Sequence, residues 1–222
     1  PRPGRHHVRV NFVTSADGAA ELGGRSGSLG DDGDRAIFQH LRWLSDVVLV
    51  GAGTARAENY GAVKVPAERQ ALRREAGLAP VPPVAVVSGR LHLDPAARLF
   101  TSEGPRPLVV TCETAPVDRR AALAEVADVV VAGEDAVDAR AAVQALVDLG
   151  LSRVLCEGGP SLHTDLTVAG LVDELCLTIS PLVAGPGRMH ITSGPQWTDT
   201  EQLRLAHVLE QGGTLFLRYG RP

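Results

Sequence analysis

Two turns in this sequence pass from an apolar run into a helical pattern through bare backbone. In VVLVGAGTARAEN the run ends at Val50 and continues through Gly51, Ala52, Gly53 and Thr54 into Ala55, Arg56, Ala57 and Glu58. In RVLCEGGPSLHTDL it ends at Glu157, and Gly158 and Gly159 then precede Pro160. Proline suits the first position of a helix because it has no N–H to leave unsatisfied. Free N–H groups at a helix start suit a phosphate, though one such turn is equally an ordinary tight turn. The first turn lacks the full dinucleotide fingerprint and also the lysine-bearing end of a nucleoside-triphosphatase loop. Two such turns in one chain point to one extended ligand with two phosphate-bearing parts, which describes a dinucleotide.

Other pieces carry polar groups to similar places. VAVVSGRLHLD delivers Ser88, Gly89 and Arg90 to the end of an apolar run. A hydroxyl and a guanidinium there suit the 2′-phosphate that separates NADP from NAD, or else form an exposed turn with a solvated arginine. VRVNFVTSADG leads into Asp17 and Gly18, ahead of a glycine-rich stretch with Arg25, Ser26 and Ser28. That arrangement suits a substrate site, but Asp followed by Gly is also a common turn pair. Arg42, in HLRWLSD, could hold an anion or simply favour the negative end of its helix. His163 lies alone in the second turn's helix, where packing is the ordinary role, so no general acid is assigned. The remaining histidines have no metal-site spacing, and no metal is expected.

The elements that would position these groups follow from periodicity. Short apolar runs at Val8 to Val13, Val47 to Val50, Val84 to Val87, Leu108 to Val110, Val129 to Val131, Val154 to Cys156 and Leu175 to Ile179 read as strands buried on both faces. Helical patterns lie between them, notably Asp34 to Ser45 and Val137 to Leu149, so the sheet should be largely parallel. Leu203 to Leu209 and Thr214 to Tyr219 flank Gln211, Gly212 and Gly213 as an antiparallel hairpin. Ala16 to Gly33 and Val63 to Pro83 are excursions, the second holding the basic piece AERQALRREAG. Loops of such length tend to be functional or mobile.

Length and composition bound the rest. The chain has 222 residues and is expected to be a single domain, 1–222, with 1–7 a flexible start. With 22 Lys and Arg against 26 Asp and Glu, scattered in sign, no basic face for nucleic acid is indicated. Cys112, Cys156 and Cys176 lie far apart in apolar runs and are expected to be reduced, buried and without catalytic role. No run approaches the roughly 18 apolar residues of a membrane span, and PRPGRHH is unlike a secretory signal, so a cytoplasmic location is expected.

Taken together, S-x-D-G, L-R-x-x-S-D-x-x-L-V-G-x-G-T-x-R-x-E-N, V-S-G-R-L and E-G-G-P-x-L followed by D-E-L resemble the riboflavin-pathway pyrimidine reductases. The resemblance is closest to single-domain actinobacterial members akin to the reductase half of the bifunctional deaminase-reductase, and it runs from about Val8 to the C-terminus. It implies a dihydrofolate-reductase-like, three-layer α/β/α fold with a mixed, mostly parallel sheet ending in the C-terminal antiparallel hairpin. It also implies a homodimer that uses NADPH to reduce the ribosyl group of 5-amino-6-(5-phosphoribosylamino)uracil to ribityl, by hydride transfer from nicotinamide C4 to C1′. By the same resemblance Gly51, Gly53, Thr54, Glu58, Ser88 and Arg90 fall at the cofactor, as do Gly158, Gly159, Pro160, Ser161 and Leu162 at its pyrophosphate. The Gly158–Gly159 bond is then cis. Ser26, Arg42 and Glu157 fall at the substrate, with Asp17 nearby.

The chain departs from that pattern at Asn11, where the bifunctional enzymes commonly carry lysine. It departs again beyond Asn59, where YGAVKV replaces D-P-x-L-T-x-R, which leaves the phosphate anchor open with Lys64 as one candidate. The zinc-deaminase signature is absent, so deamination falls to a separate protein. Two other readings stay open: a reductase of another pterin or pyrimidine such as dihydrofolate, and an NADP-binding protein without reductase activity.

Overall fold

Four consecutive apolar residues, Val47 to Val50, are buried in β2 (Val47–Gly51), as a strand covered on both faces requires. The computed structural model describes residues 6–194 and 200–222. Of the expected flexible start, residues 1–5 lie outside the described residues. His7 already opens β1 (His7–Ser15), its N–H donating to the Ser152 carbonyl at 2.8 Å. The strands form a mostly parallel sheet that ends in an antiparallel hairpin. The chain divides into two compact units, 1–7 with 41–155, and 8–40 with 156–222.

In the first unit β2, β3 (Val84–Val87), β4 (Leu108–Thr111) and β5 (Asp128–Val131) pair in parallel, with Gly51 opposite Val87 and Val87 opposite Val110. Parallel pairing places every carboxyl end on one edge. β6 (Arg153–Cys156) belongs to the same unit up to Leu155. Between the strands lie α2 (Ala52–Ala57), α3 (Ala67–Glu75), α4 (Arg98–Thr101), α5 (Val117–Ala124) and α6 (Ala139–Asp148). α6 buries Ala142, Val143 and Leu146, while its neighbour Leu149 is 55% exposed beyond the last turn. The Asp138 carboxylate caps that helix, accepting from the Ala141 N–H at 2.7 Å.

In the second unit β1 pairs in parallel with β7 (Val172–Ser180), which pairs antiparallel with β9 (Thr214–Gly220), itself joined to β8 (Arg204–Gln211). α1 (Asp32–Leu44) starts in this unit and is fixed there at its first turn. Thr178 donates to Asp34 at 2.6 Å, and Thr214 to Asp31 at 2.7 Å. α7 (Pro160–Val168) is the unit's other helix. All three cysteines are free and buried, as their apolar surroundings lead one to expect. Burial pushes the Cys156 thiol up to about 12 and the Cys176 thiol up to about 11, so neither is a thiolate near neutrality.

Candidate functional site

Each unit carries one part of the expected site. In the first, Gly51 caps α2 in extended conformation and, being glycine, supplies no side-chain cap to the helix's first N–H groups. A side chain on Gly53 would meet no atom within 4 Å, so the backbone there is open to a close approach. Thr54 is half-buried and its carbonyl accepts from the Glu58 N–H at 2.9 Å, which ends the helix at Glu58. On the neighbouring strand Ser88 lies one residue past Val87, the partner of Gly51. Its backbone is fully used, N–H to the Val110 carbonyl at 2.9 Å and carbonyl from the Thr111 hydroxyl at 2.8 Å. Its own hydroxyl, in a residue 7% exposed, makes no hydrogen bond among the described residues. Arg90 follows, exposed, ahead of the buried Leu91 at φ 51°. Gly51, Gly53, Thr54, Ser88 and Arg90 are thus brought together at one sheet edge.

Arg42 is not part of that edge. It sits in the last turn of α1, which Ser45 and Asp46 join to the start of β2, with its guanidinium 5.6 Å from the Tyr60 ring centroid. The four residue steps from Val47 to Gly51 put roughly 13 Å between the two ends of that strand. The carbonyls of this turn are taken by a residue of the basic piece AERQALRREAG, to which the sequence alone assigned no partner. Arg73, 3% exposed, donates to the Trp43 carbonyl at 2.5 Å, the Ser45 carbonyl at 2.9 Å and the Ala79 carbonyl at 2.8 Å. Burial holds its guanidinium below the usual arginine range. Lys64 is exposed between buried Val63 and Val65.

In the second unit Glu157 is 7% exposed where β6 gives way to the double glycine. The Gly158–Gly159 bond is cis, as expected, and Gly158 has φ 92°. A Cβ there would lie 3.1 Å from the Phe12 ring, so both conformation and space call for glycine. Gly159 precedes α7 with no side-chain cap, and Pro160 takes its first turn. Ser161 is exposed and Leu162 is 9% exposed. His163 is a packing residue: its ring lies 5.1 Å from that of Phe12, its Nδ1 is 2.9 Å from the Ile191 carbonyl, and burial lowers its pKa. Asn11 is 9% exposed in the middle of β1, opposite Cys176, and its amide makes no side-chain hydrogen bond among the described residues.

Asp17 differs from a free substrate ligand. Its carboxylate accepts from the Ser15 hydroxyl at 2.5 Å and from the N–H groups of Ala184 at 3.0 Å and Gly185 at 2.8 Å. The Ala184 N–H foremost, then the Ser15 hydroxyl and the Gly185 N–H, hold its pKa down to about 2. Ser26 is half-buried at the start of the turn closed by its carbonyl and the Leu29 N–H at 2.9 Å. Sequence reading missed the partner in the Asp17 interaction, the segment 181–194. Its G-P-G run signals a turn but nothing of what it bonds to.

Among known proteins, the RibD C-terminal domain family matches residues 6–217. The 2,5-diamino-6-ribosylamino-4(3H)-pyrimidinone 5′-phosphate reductase of Archaeoglobus fulgidus is 32% identical over 182 residues, 82% of this chain and 83% of that protein. The riboflavin biosynthesis protein RibD of Mycobacterium tuberculosis is 28% identical over 88% of this chain, which spans 50% of that longer protein. Among solved structures, a pyrimidine reductase-like protein of Corynebacterium diphtheriae is 31% identical with a TM-score of 0.89, covering 97% of this chain and 91% of that one. The riboflavin biosynthesis reductase of Saccharomyces cerevisiae shares the fold at 17% identity, with a TM-score of 0.71 over 99% of this chain and 91% of that one. With one family spanning both units and a relative this similar over most of both lengths, the chain belongs to the RibD C-terminal domain family.

Proposed function

We propose that this protein is an NADPH-dependent reductase of riboflavin biosynthesis that converts the ribosyl group of a ribosylaminopyrimidine 5′-phosphate to ribityl. The observation that carries the reading is the pairing of the open Gly51–Thr54 turn with the unbonded Ser88 hydroxyl and exposed Arg90 on the adjacent strand end. A reductase of this family needs a nicotinamide cofactor, and these residues fit its phosphates: bare N–H groups, a hydroxyl and a guanidinium. When bound, NADPH supplies the hydride that reaches C1′. The chain supplies position: Gly51, Gly53, Thr54 and Glu58 at one phosphate, Ser88 and Arg90 at the 2′-phosphate, and Gly158 to Leu162 at the pyrophosphate. Glu157 and Ser26 are assigned to the substrate; Arg42, expected there too, stands at the start of β2 and not at the Gly51 end, and is not given that role.

The 2-oxo compound, 5-amino-6-(5-phosphoribosylamino)uracil, is our substrate of first choice. The Archaeoglobus relative's name specifies the 2-amino counterpart. Both have the same ribosyl group, so NADPH oxidation should be followed with each in parallel and with dihydrofolate as a third sample. Oxidation with either ribosylaminopyrimidine alone supports the reading, and the faster one names the substrate. Oxidation with dihydrofolate alone overturns the pathway assignment. Tight NADPH binding with no oxidation overturns the enzyme.

Arg90→Ala is expected to weaken NADPH by about tenfold and NADH by less than about twofold, in line with loss of one charge-assisted contact to phosphate. Equal losses for the two cofactors would remove Arg90 from the 2′-phosphate. We further propose that residues 1–222 work as one reductase domain and assemble as a homodimer. Deamination is assigned to a different domain or protein, since the zinc-deaminase signature is not among these 222 residues. A cytoplasmic location agrees with three free, buried cysteines.

A further inference from the structure

Segment 181–194 forms no helix or strand, and most of it is exposed, including Val183 at 81% and Met189 at 46%. Apolar packing therefore does little to hold it. Hydrogen bonds fasten it at both ends instead. At one end the Ala16 N–H donates to the Leu182 carbonyl at 2.8 Å, and the Ala20 N–H to the Met189 carbonyl at 2.7 Å. Asp17 takes the N–H groups of Ala184 and Gly185 on its carboxylate, which the Ser15 hydroxyl orients. At the other end the Ile191 carbonyl meets His163, and the Ser193 N–H donates to the Thr164 hydroxyl at 3.1 Å. The Ser193 and Ser161 hydroxyls are 2.9 Å apart on the first turn of α7. In these bonds Asp17 is the ionised side chain, and charge-assisted hydrogen bonds are roughly twice as strong as neutral ones.

We propose that Asp17 is a positioning residue of the reductase: it locks segment 181–194 against the first turn of α7 and so fixes Ser161, through Ser193, for the cofactor. The inference rests on the NADPH-reductase reading above. It also moves Asp17 from the substrate to the scaffold, since its carboxylate oxygens already accept three hydrogen bonds. Asn at this position keeps the shape but replaces one acceptor by an NH2 group, so a donor would face a backbone N–H. The lock would open without a change in side-chain volume.

The test uses the whole chain as Asp17→Asn, Ser193→Ala and the double variant, with hydrogen exchange, NADPH Kd, substrate KM and thermal melting measured on each. Expected for Asp17→Asn are exchange at Ala184 and Gly185 faster by about tenfold or more and a Kd for NADPH raised by about tenfold, with substrate KM within about twofold. Acting through one segment, the two substitutions should be sub-additive on Kd. A raised substrate KM with exchange unchanged would make Asp17 a substrate contact. A lower melting temperature with unchanged Kd would reduce the bonds to fold stability, and additive effects would sever Asp17 from Ser193. Each of these overturns the proposal. If the unaltered chain binds NADPH but reduces nothing, the reductase reading fails while exchange and Kd still decide the lock.

Discussion

Glu157→Gln is expected to lower reductase turnover by about 100-fold while leaving NADPH affinity within about threefold. Glu157 is 7% exposed, in a place where its charge gains little from water. It stands at the end of β6, next to the Gly158–Gly159 turn assigned to the cofactor, as a group placed between cofactor and sugar must. Gln preserves its volume and one acceptor but cannot carry charge or exchange a proton, so packing survives while chemistry is lost. Steady-state kcat and KM beside a direct NADPH titration decide the matter. Equal losses in turnover and NADPH affinity would put Glu157 on the cofactor side, and unchanged turnover would remove it from the reaction.

Arg73→Ala is expected to destabilise the protein by about 3–5 kcal/mol, a fall in melting temperature on the order of 10 °C. The guanidinium is the shared donor for carbonyls at the end of α1 and at Ala79, all of which lose a partner together. Of these only Ser45 is a buried residue, and its carbonyl, left without this donor, costs about 1–3 kcal/mol, added to the packing lost with the buried side chain. Part of the arginine's own gain is already forgone, since its Nη2 has no partner among the described residues in its buried position. A change below about 2 °C in a thermal melt would show that the α1 terminus is held by other means.

The parallel strands were readable because consecutive buried Val and Leu leave little choice of element. β2 and β3 match the expected runs to within a residue at either end. β5 matches as closely in its bounds, but it is an edge strand with no fully buried residue and Val131 42% exposed, so the burial on both faces expected of Val129 to Val131 is not met there. The turns at Gly51 and Gly158 were readable for a related reason, since glycine and proline restrict the backbone locally. What a side chain meets after crossing the fold is not written in periodicity. Arg73 looks like one of several charges on a basic helix, and only tertiary structure brings it to the α1 carbonyls. The long excursion that holds it is therefore partly scaffold, with a helix and a buried arginine. Asp17 reads as half of a turn pair, and its partners at 184 and 185 are too far along the chain for local reasoning to reach. Leu44 belongs to the expected apolar stripe of α1 yet is 56% exposed, because the stripe's burial ends with Leu41 near the helix terminus.

The pairing of β1 with β7 has a consequence in time. Val8 and Asp173, joined across that pair, are 165 residues apart in sequence. A ribosome adding about 5–20 residues per second therefore makes β1 wait on the order of 10–30 s for the strand it pairs with. Throughout that interval Val8 and Val10, each 0% exposed in the finished molecule, have no native neighbour on β7. The soluble yield of the chain in a cell should accordingly respond to the speed of translation and to the supply of chaperones that bind extended apolar segments. Slowing synthesis lengthens the wait, even though the finished fold is unchanged.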